Sequence, residues 1–164
     1  MKKSNKNVRT ITYAAVIAAL YVVLTFVAAL LKLSSGVIQV RFSEALTVLP
    51  VFTPAAIPGV AVGCLLANIL TGAIPADIIF GTAATLIGAL CTYALRRRPT
   101  YIAVLPPIIA NTIVVPFVLK FGYGAEGGIP FFMLTVGVGE IISCGVFGVL
   151  LATALKKHNK SLFS

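Results

Sequence analysis

The stretch VRTITYAAVIAALYVVLTFVAALL, residues 8–31, contains a single charged side chain, Arg9. A transmembrane helix needs about 20 predominantly apolar residues to cross a hydrocarbon core of about 30 Å. The run is long enough for that, and it is longer than the apolar core of a cleaved signal peptide. The stretch therefore predicts a first membrane-spanning helix.

The composition of the whole chain agrees with a membrane protein. Apolar residues make up 59% of the 164 positions and charged residues 10%, against about 45–50% and about 25% in a soluble domain. So few charges cannot cover the surface of a soluble domain of this size, and a chain this apolar is not disordered. We expect one integral membrane domain over residues 1–164.

Proline, glycine and charged residues divide the chain into six apolar segments. We expect an all-α fold with helices over about residues 8–31, 44–55, 57–71, 78–95, 101–120 and 131–155. Six spans of about 20 residues leave little chain for loops or for a soluble domain. Predicted helices 2 and 3 are short and are separated only by Pro54 and Pro58, so they form either a hairpin or one broken re-entrant unit.

The net charge of +9 is concentrated at the ends of apolar segments. Ten of the thirteen Lys and Arg residues lie in three tracts: Lys2, Lys3, Lys6 and Arg9; Arg96, Arg97 and Arg98; Lys156, Lys157 and Lys160. Such tracts mark the cytoplasmic side of a membrane protein. All three share one side if predicted helices 2 and 3 both cross, which favours six spans with cytoplasmic termini, residues 1–7 and 156–164. The tracts suit anionic membrane lipid and lack the folded polar module of a nucleic-acid-binding protein.

Glu140 is the clearest candidate for a functional residue. It lies about nine residues, or roughly 14 Å, into the sixth predicted helix, close to the membrane midplane. A carboxylate inside a membrane helix is costly and marks a functional site by default. Gly137 and Gly139 allow a ligand or another backbone to approach it. We predict a ligand contact; a structural hydrogen bond and a proton relay remain open.

Further polar candidates lie near the predicted outer face or inside helices 3 and 5. Gln39 and Arg41 precede helix 2, and Ser43 and Glu44 suit its start as a cap and as a first-turn acid. Asp77 suits either the capping of helix 4 or a ligand contact. Tyr123 belongs either to an interfacial aromatic belt or to a surface that stacks on a flat ring. The remaining candidates are Asn68 and Asn111.

Several function classes are excluded by what the sequence lacks. No phosphate-binding Gly-x-x-x-x-Gly-Lys-[Ser/Thr] loop is present, so we expect no ATP site. The one histidine, His158, lies in the basic tail, and no catalytic residue, cofactor or metal site is expected. Cys64, Cys91 and Cys144 lie in apolar segments and indicate small buried side chains rather than disulfides or metal ligands. We therefore expect that the chain is not an enzyme.

The first helix carries small residues at a spacing of four: Ala14, Ala15, Ala18 and Ala19. This spacing allows helices to pack closely in lipid. The contact can lie within the chain or with a partner membrane protein.

The stretch QVRFSEALTVLP, residues 39–50, resembles the queuosine-precursor transporter (QueT) family. Supporting matches are AN at 67–68, DIIFGT at 77–82, LPP at 105–107 and GE at 139–140, and the resemblance covers about residues 8–157. Members of this family are substrate-binding S-components of energy-coupling factor (ECF) transporters. The resemblance implies six helices with cytoplasmic termini in the bacterial plasma membrane, and a pocket that opens to the outside.

The resemblance also implies partners. A transmembrane coupling subunit and two ATPase subunits would complete the transporter and would explain the missing ATP site. In S-components generally, small residues of the first helix dock on the coupling subunit, a role that the four alanines would take here.

The substrate implied by the resemblance is a 7-deazaguanine such as preQ1, preQ0 or queuine. A carboxylate accepts the N1–H and the exocyclic amine of a guanine edge together, and we expect Glu140 in this role. An aminomethyl cation would favour a second acid, Glu44 or Asp77. Candidate donors for the O6 and N7 side are Asn68, Asn111, Gln39 and Arg41. An S-component for another vitamin-like heterocycle and a stand-alone proton-coupled carrier remain open.

Overall fold

The computed structural model describes the backbone over residues 2–33 and 38–162, and the side chains over residues 7–33 and 38–157. All of the elements in these ranges are helical, as the sequence predicts. They form six helices: α1, Lys2–Leu30; α2, Phe42–Val51; α3, Ala56–Leu70; α4, Pro75–Ala94; α5, built from Thr100–Ala103, Leu105–Phe117 and the π-helical turn Val118–Gly122; and α6, built from Ile129–Glu140, the π-helical Ile141–Phe147 and Gly148–Leu162.

Four of these helices are long and apolar enough to cross a membrane. They are α1, α4, α5 and α6, with mean hydropathies between 1.4 and 2.4. The chain is thus a multi-pass membrane protein. The α2 and α3 helices have only 10 and 15 residues, which is shorter than a hydrocarbon core of about 30 Å requires. The six-span topology stays a prediction.

The second helix differs from the expectation in both bounds and type. We expected a helix over 44–55, whereas α2 is a 3₁₀-helix over Phe42–Val51. Pro50 lacks a backbone N–H and its ring clashes with the preceding turn of a regular α-helix. The expected cap is also wrong: Arg41 is the N-cap residue, and Ser43 lies inside the helix.

The ends of the other helices lie within a few residues of the predicted positions, except at the termini. Helical structure includes residues 2–7 and 156–162, which were expected to be tails. The α4 helix begins at Pro75, a residue whose fixed φ suits the first helical turn, so Asp77 lies in its first turn and does not cap it. The side chains of Lys2, Lys3, Lys6, His158 and Lys160 lie outside the described ones.

The short α2 helix lies in the centre of the bundle. It contacts α1, α4 and α6, and all residues from 43 to 50 are buried. Beside it, α1 packs on α3, and a Cβ added at Gly63 would lie only 2.6 Å from Tyr21 Cβ. This close packing brings Tyr21 of α1 toward the polar start of α2, where the candidate site lies.

Candidate functional site

A small cavity lies between the short α2 helix and the helices around it. Its volume is about 20 Å³, which is room for about one water-sized group. We call this cavity the chamber. Its lining residues come from the segment before α2 and from five helices: Gln39, Arg41, Glu44, Cys64, Gly81, Thr85, Asn111, Val115, Val136 and Glu140.

Glu44 reaches the chamber from the first turn of α2 and is 2% exposed. The Tyr21 hydroxyl donates a hydrogen bond to Glu44 Oε1. The other oxygen, Oε2, is buried and accepts no hydrogen bond from the described residues. One oxygen of a buried carboxyl group therefore remains free to accept a hydrogen bond from a ligand.

Glu140 faces the same space from α6 and is 7% exposed. Cys144, one turn further along the helix, donates from Sγ to Glu140 Oε2 over 3.2 Å. One oxygen each of Glu44 and Glu140 lies within 4.8 Å of the other and of Cys144 Sγ, and the Asn111 amide lies beside both carboxyl groups. The structure thus brings two acids together that are 96 positions apart in the sequence.

The three close atoms of Glu44, Glu140 and Cys144 raise the question of a metal ion. Hydrogen bonds join the three residues, because Cys144 Sγ lies 3.2 Å from Glu140 Oε2 and 3.5 Å from the backbone oxygen of Glu44.

A second cavity, which we call the recess, adjoins the chamber. It measures about 340 Å³ and shares Gln39, Arg41 and Val115 with the chamber. Its other lining residues are Asp77, Val118, Leu119 and Tyr123.

The polar end of the recess is held by a hydrogen bond between α4 and the loop after α5. Tyr123 Oη donates to Asp77 Oδ2 over 3.1 Å and accepts from the backbone N–H of Ile74 over 3.4 Å. Partial desolvation and the neighbouring Asp77 charge raise the pKa of Tyr123 above its ordinary value. The phenol therefore stays a hydrogen-bond donor at neutral pH.

The segment before α2 separates the chamber from the recess. Its backbone is held on α6, because Arg41 N donates to Ser143 Oγ over 3.0 Å and Ser143 Oγ donates to Gly139 O over 2.8 Å. A Cβ at Gly139 would lie only 2.1 Å from Gln39 O. Gly139 was expected to allow a ligand or another backbone to approach Glu140. The group that packs against it is the backbone of this chain at Gln39. We call residues 38–41 the strap.

In the part of the chain that the structure describes, Arg41 is the one Lys or Arg residue that lines either cavity, and it lines both. Its positive charge acts on Glu44, on Glu140 and on Asp77 of the recess. Three acidic residues therefore share this cation in the linings of the two cavities.

Seven of the eight predicted site residues line one of the two cavities. The exception is Asn68, which is buried and donates from Nδ2 to the backbone oxygen of Asp77 over 3.3 Å and to Cys64 Sγ over 3.7 Å. The hydrogen bond to Asp77 connects α3 with α4.

Four hydroxyl or thiol side chains at the chamber were not predicted: Tyr21, Cys64, Thr85 and Cys144. Two of them carried a usable signal. Tyr21 lies in an apolar helix, where a buried hydroxyl needs a partner, and Cys144 follows Glu140 by four positions, the spacing of neighbours on a helix. All three cysteines are free thiols, as expected, but Cys91 is exposed and not buried.

The four alanines of α1 divide into two pairs. Ala18 is buried and Ala14 is half-buried, and both pack against glycines of α3. Ala15 and Ala19 are exposed, so a partner helix can reach only this second pair.

Long apolar helices around an acidic chamber and a polar recess define a class: a multi-pass membrane protein with polar cavities inside its helical bundle. The model of the QueT transporter family matches residues 11–157. The chain therefore belongs to the QueT transporter family, and the resemblance seen in the sequence is confirmed. Membership indicates a transporter with a small-molecule substrate.

One curated relative is the protein described as "Queuosine precursor transporter QueT" of Lactococcus lactis subsp. cremoris (strain MG1363). It is 40% identical to this chain over 87 residues, covering 53% of this chain and 50% of the relative. The match thus spans about half of the relative's length. No solved structure matches the chain significantly.

Proposed function

We propose that the chain is the substrate-binding S-component of an ECF-type importer in the bacterial plasma membrane, and that it captures a 7-deazaguanine precursor of queuosine. The observation that carries the proposal is the pair of buried carboxyl groups, Glu44 and Glu140, in a chamber beside a recess of about 340 Å³. A 7-deazaguanine is rich in N–H donors, and carboxylates accept such donors strongly. Membership of the QueT transporter family supports this substrate class.

The charges support an outward-facing recess. Asp77 and Tyr123 lie at the start of α4 and just after the end of α5. Arg96, Arg97 and Arg98 lie at the opposite ends of these two helices, in the connection between them. If the arginine triplet is cytoplasmic, the recess at the other end of α4 and α5 opens to the outside. With six membrane-crossing helices, both termini then lie in the cytoplasm.

The partners in this proposal are a transmembrane coupling subunit and two ATPase subunits. This chain has no ATP-binding motif of its own. Ala15 and Ala19, the exposed pair of α1, provide the small-residue surface on which another membrane helix can pack closely.

The first experiment measures binding to the purified protein in lipid nanodiscs by isothermal titration calorimetry. We expect saturable binding of at least one of preQ1, preQ0 and queuine. Glu140→Gln should weaken the affinity for preQ1 by about tenfold or more, since a charged acceptor is lost. Glu126→Gln, in the exposed loop between α5 and α6, is the matched control. Tighter binding of an unrelated vitamin would reject the substrate class.

The second experiment tests the partners. Uptake of labelled preQ1 is measured in proteoliposomes with the ECF module and ATP, and with the chain alone under a pH gradient. Uptake only with the module supports the S-component, whereas uptake by the chain alone supports a proton-coupled carrier.

A variant of the exposed pair completes this experiment. Ala15→Trp combined with Ala19→Trp should preserve binding and abolish uptake, because bulky side chains prevent close helix packing. Ile79→Trp, on the exposed face of α4, is the control and should leave uptake unchanged.

A further inference from the structure

We propose that Glu44 and Glu140 together bind the ammonium group of an amine-bearing ligand, so that the amine enters the chamber and the ring stays in the recess. This inference rests on the proposed function and deepens it. It selects precursors with a protonated aminomethyl group over those without one.

The sizes of the two cavities support this orientation. The chamber of about 20 Å³ has room for one water-sized group, and an ammonium group is of that size. A bicyclic deazapurine is far larger and fits only the recess of about 340 Å³. Because Gln39, Arg41 and Val115 line both cavities, the two are adjacent, and in the proposed orientation a short substituent on a ring in the recess passes between these residues into the chamber.

The spacing of the two carboxyl groups fits a single nitrogen between them. An ammonium group has three tetrahedral N–H donors, and its charged hydrogen bonds are about 2.8 Å long, so two acceptor oxygens of one ammonium lie about 4.6 Å apart. One oxygen each of Glu44 and Glu140 lies within 4.8 Å of the other, a limit that a single nitrogen between the two carboxyl groups satisfies.

The unpaired acceptor and the charges give independent support. Glu44 lines the chamber, and its Oε2 is buried and accepts no hydrogen bond from the described residues. Of the described charged residues, three acids, Glu44, Glu140 and Asp77, and one cation, Arg41, line the two cavities, an excess of acids that favours a ligand with positive charge. The neutral N–H edge of the deazaguanine ring could donate hydrogen bonds to Glu44 and Glu140, but it would not balance the negative charge of the two carboxylates.

This orientation changes the role expected for Glu140. In this orientation the N–H donors of the guanine-type ring lie in the recess, where the Asp77 carboxylate can accept them. Glu140 binds the amine instead. Arg41 and Gln39, which line both cavities, face the ring.

The test compares three ligands on the wild-type protein in nanodiscs, with EDTA present to exclude bridging metal ions. They are preQ1, with a free aminomethyl group; preQ0, whose nitrile has no N–H donor; and queuine, whose amine carries a further ring. We expect preQ1 to bind at least about tenfold more tightly than preQ0. Queuine should bind more weakly than preQ1, because the chamber has no room beyond the amine.

Variants of Glu44 and Glu140 then test whether these two acids cause the preference for preQ1 over preQ0. Glu44→Gln and Glu140→Gln should each weaken preQ1 at least about tenfold and change preQ0 less than about threefold. Asp77→Asn should instead weaken both ligands by similar factors. Thermal unfolding of each variant checks that it folds, and the wild-type comparison alone suffices if one does not.

The outcomes separate this inference from the proposed function. The amine orientation is wrong if the wild type binds preQ1 and preQ0 with equal affinity. It is also wrong if the two Gln variants lose affinity for both ligands by equal factors. Neither result affects the assignment as a transporter. Binding of none of the three ligands rejects the proposed function itself.

Discussion

The contact between the strap and Gly139 gives a prediction whose size follows from the structure. In Gly139→Ala, the new Cβ would lie 2.1 Å from Gln39 O, whereas ordinary contacts of this kind begin at 3.4 Å. The strap must therefore retreat from α6 by more than about 1 Å, which moves Gln39 and Arg41 and weakens the hydrogen bond from Arg41 N to Ser143. Overpacking of this kind costs about 1–3 kcal/mol.

Gly137→Ala is a closely matched control, since the same change is made two residues earlier in α6. Its Cβ would lie 3.4 Å from Thr112 Cγ2, an ordinary contact. Alanine is better than glycine inside a helix by about 1 kcal/mol, so this variant should be as stable as the wild type or more stable.

Calorimetric titration of preQ1 and thermal unfolding in nanodiscs measure both effects. For Gly139→Ala we expect about tenfold weaker binding or more, corresponding to about 1.4 kcal/mol, and a lower midpoint of unfolding than for Gly137→Ala. If the two alanine variants bind preQ1 equally well, the strap does not position the site, and the reasoning is wrong.

Three further predictions concern the residues that support the site. Tyr21→Phe removes the donor to Glu44 Oε1, so we expect a loss of about 1–3 kcal/mol in unfolding free energy; unchanged stability would mean that this hydrogen bond contributes nothing. Gly63→Ala places a Cβ 2.6 Å from Tyr21 Cβ, and this overpacking should lower the unfolding free energy by about 1–3 kcal/mol. Gly145→Ala is the control, since the nearest atoms to its Cβ would lie 3.8 Å away. Asn68→Leu loses the bond to the Asp77 carbonyl and should lower the midpoint of unfolding, yet change preQ1 affinity less than about threefold, because Asn68 lines neither cavity; a larger loss would assign it to the ligand.

The sequence predicted those parts of the fold that depend on local composition. Long apolar runs indicated α1, α4, α5 and α6, because a membrane span needs only length and hydrophobicity, although α1 begins at Lys2 and α6 ends at Leu162, beyond the apolar runs at 8–31 and 131–155. It failed at α2, where Pro50 inside the segment and tight enclosure by neighbouring helices favour a 3₁₀-helix over the expected α-helix. A tertiary constraint of this kind leaves no periodic signal in a ten-residue segment.

The site was predictable as a set of residues but not as an arrangement. Glu140 stood out because ionisable side chains are expensive inside a membrane helix, whereas Glu44 was a candidate as a first-turn acid near the outer face and as a second acid for an aminomethyl cation. That they face one another depends on how α2 packs against α6, which no local pattern encodes. The role of Gly139 shows the same limit: the sequence indicated a close approach, and only the fold identifies the strap as the neighbour.

The distribution of acids connects the composition with the site. The chain has four acidic residues, and three of them, Glu44, Asp77 and Glu140, line the chamber or the recess. The fourth, Glu126, is exposed in the loop between α5 and α6. Three acids that share one cation, Arg41, in the described linings of the two cavities lower stability, and apolar residues would pack in their place at less cost. Hydrogen bonds such as that from Tyr21 to Glu44 offset only part of this cost. A requirement of the ligand is therefore the better explanation for the acids, and a ligand that brings its own positive charge satisfies it.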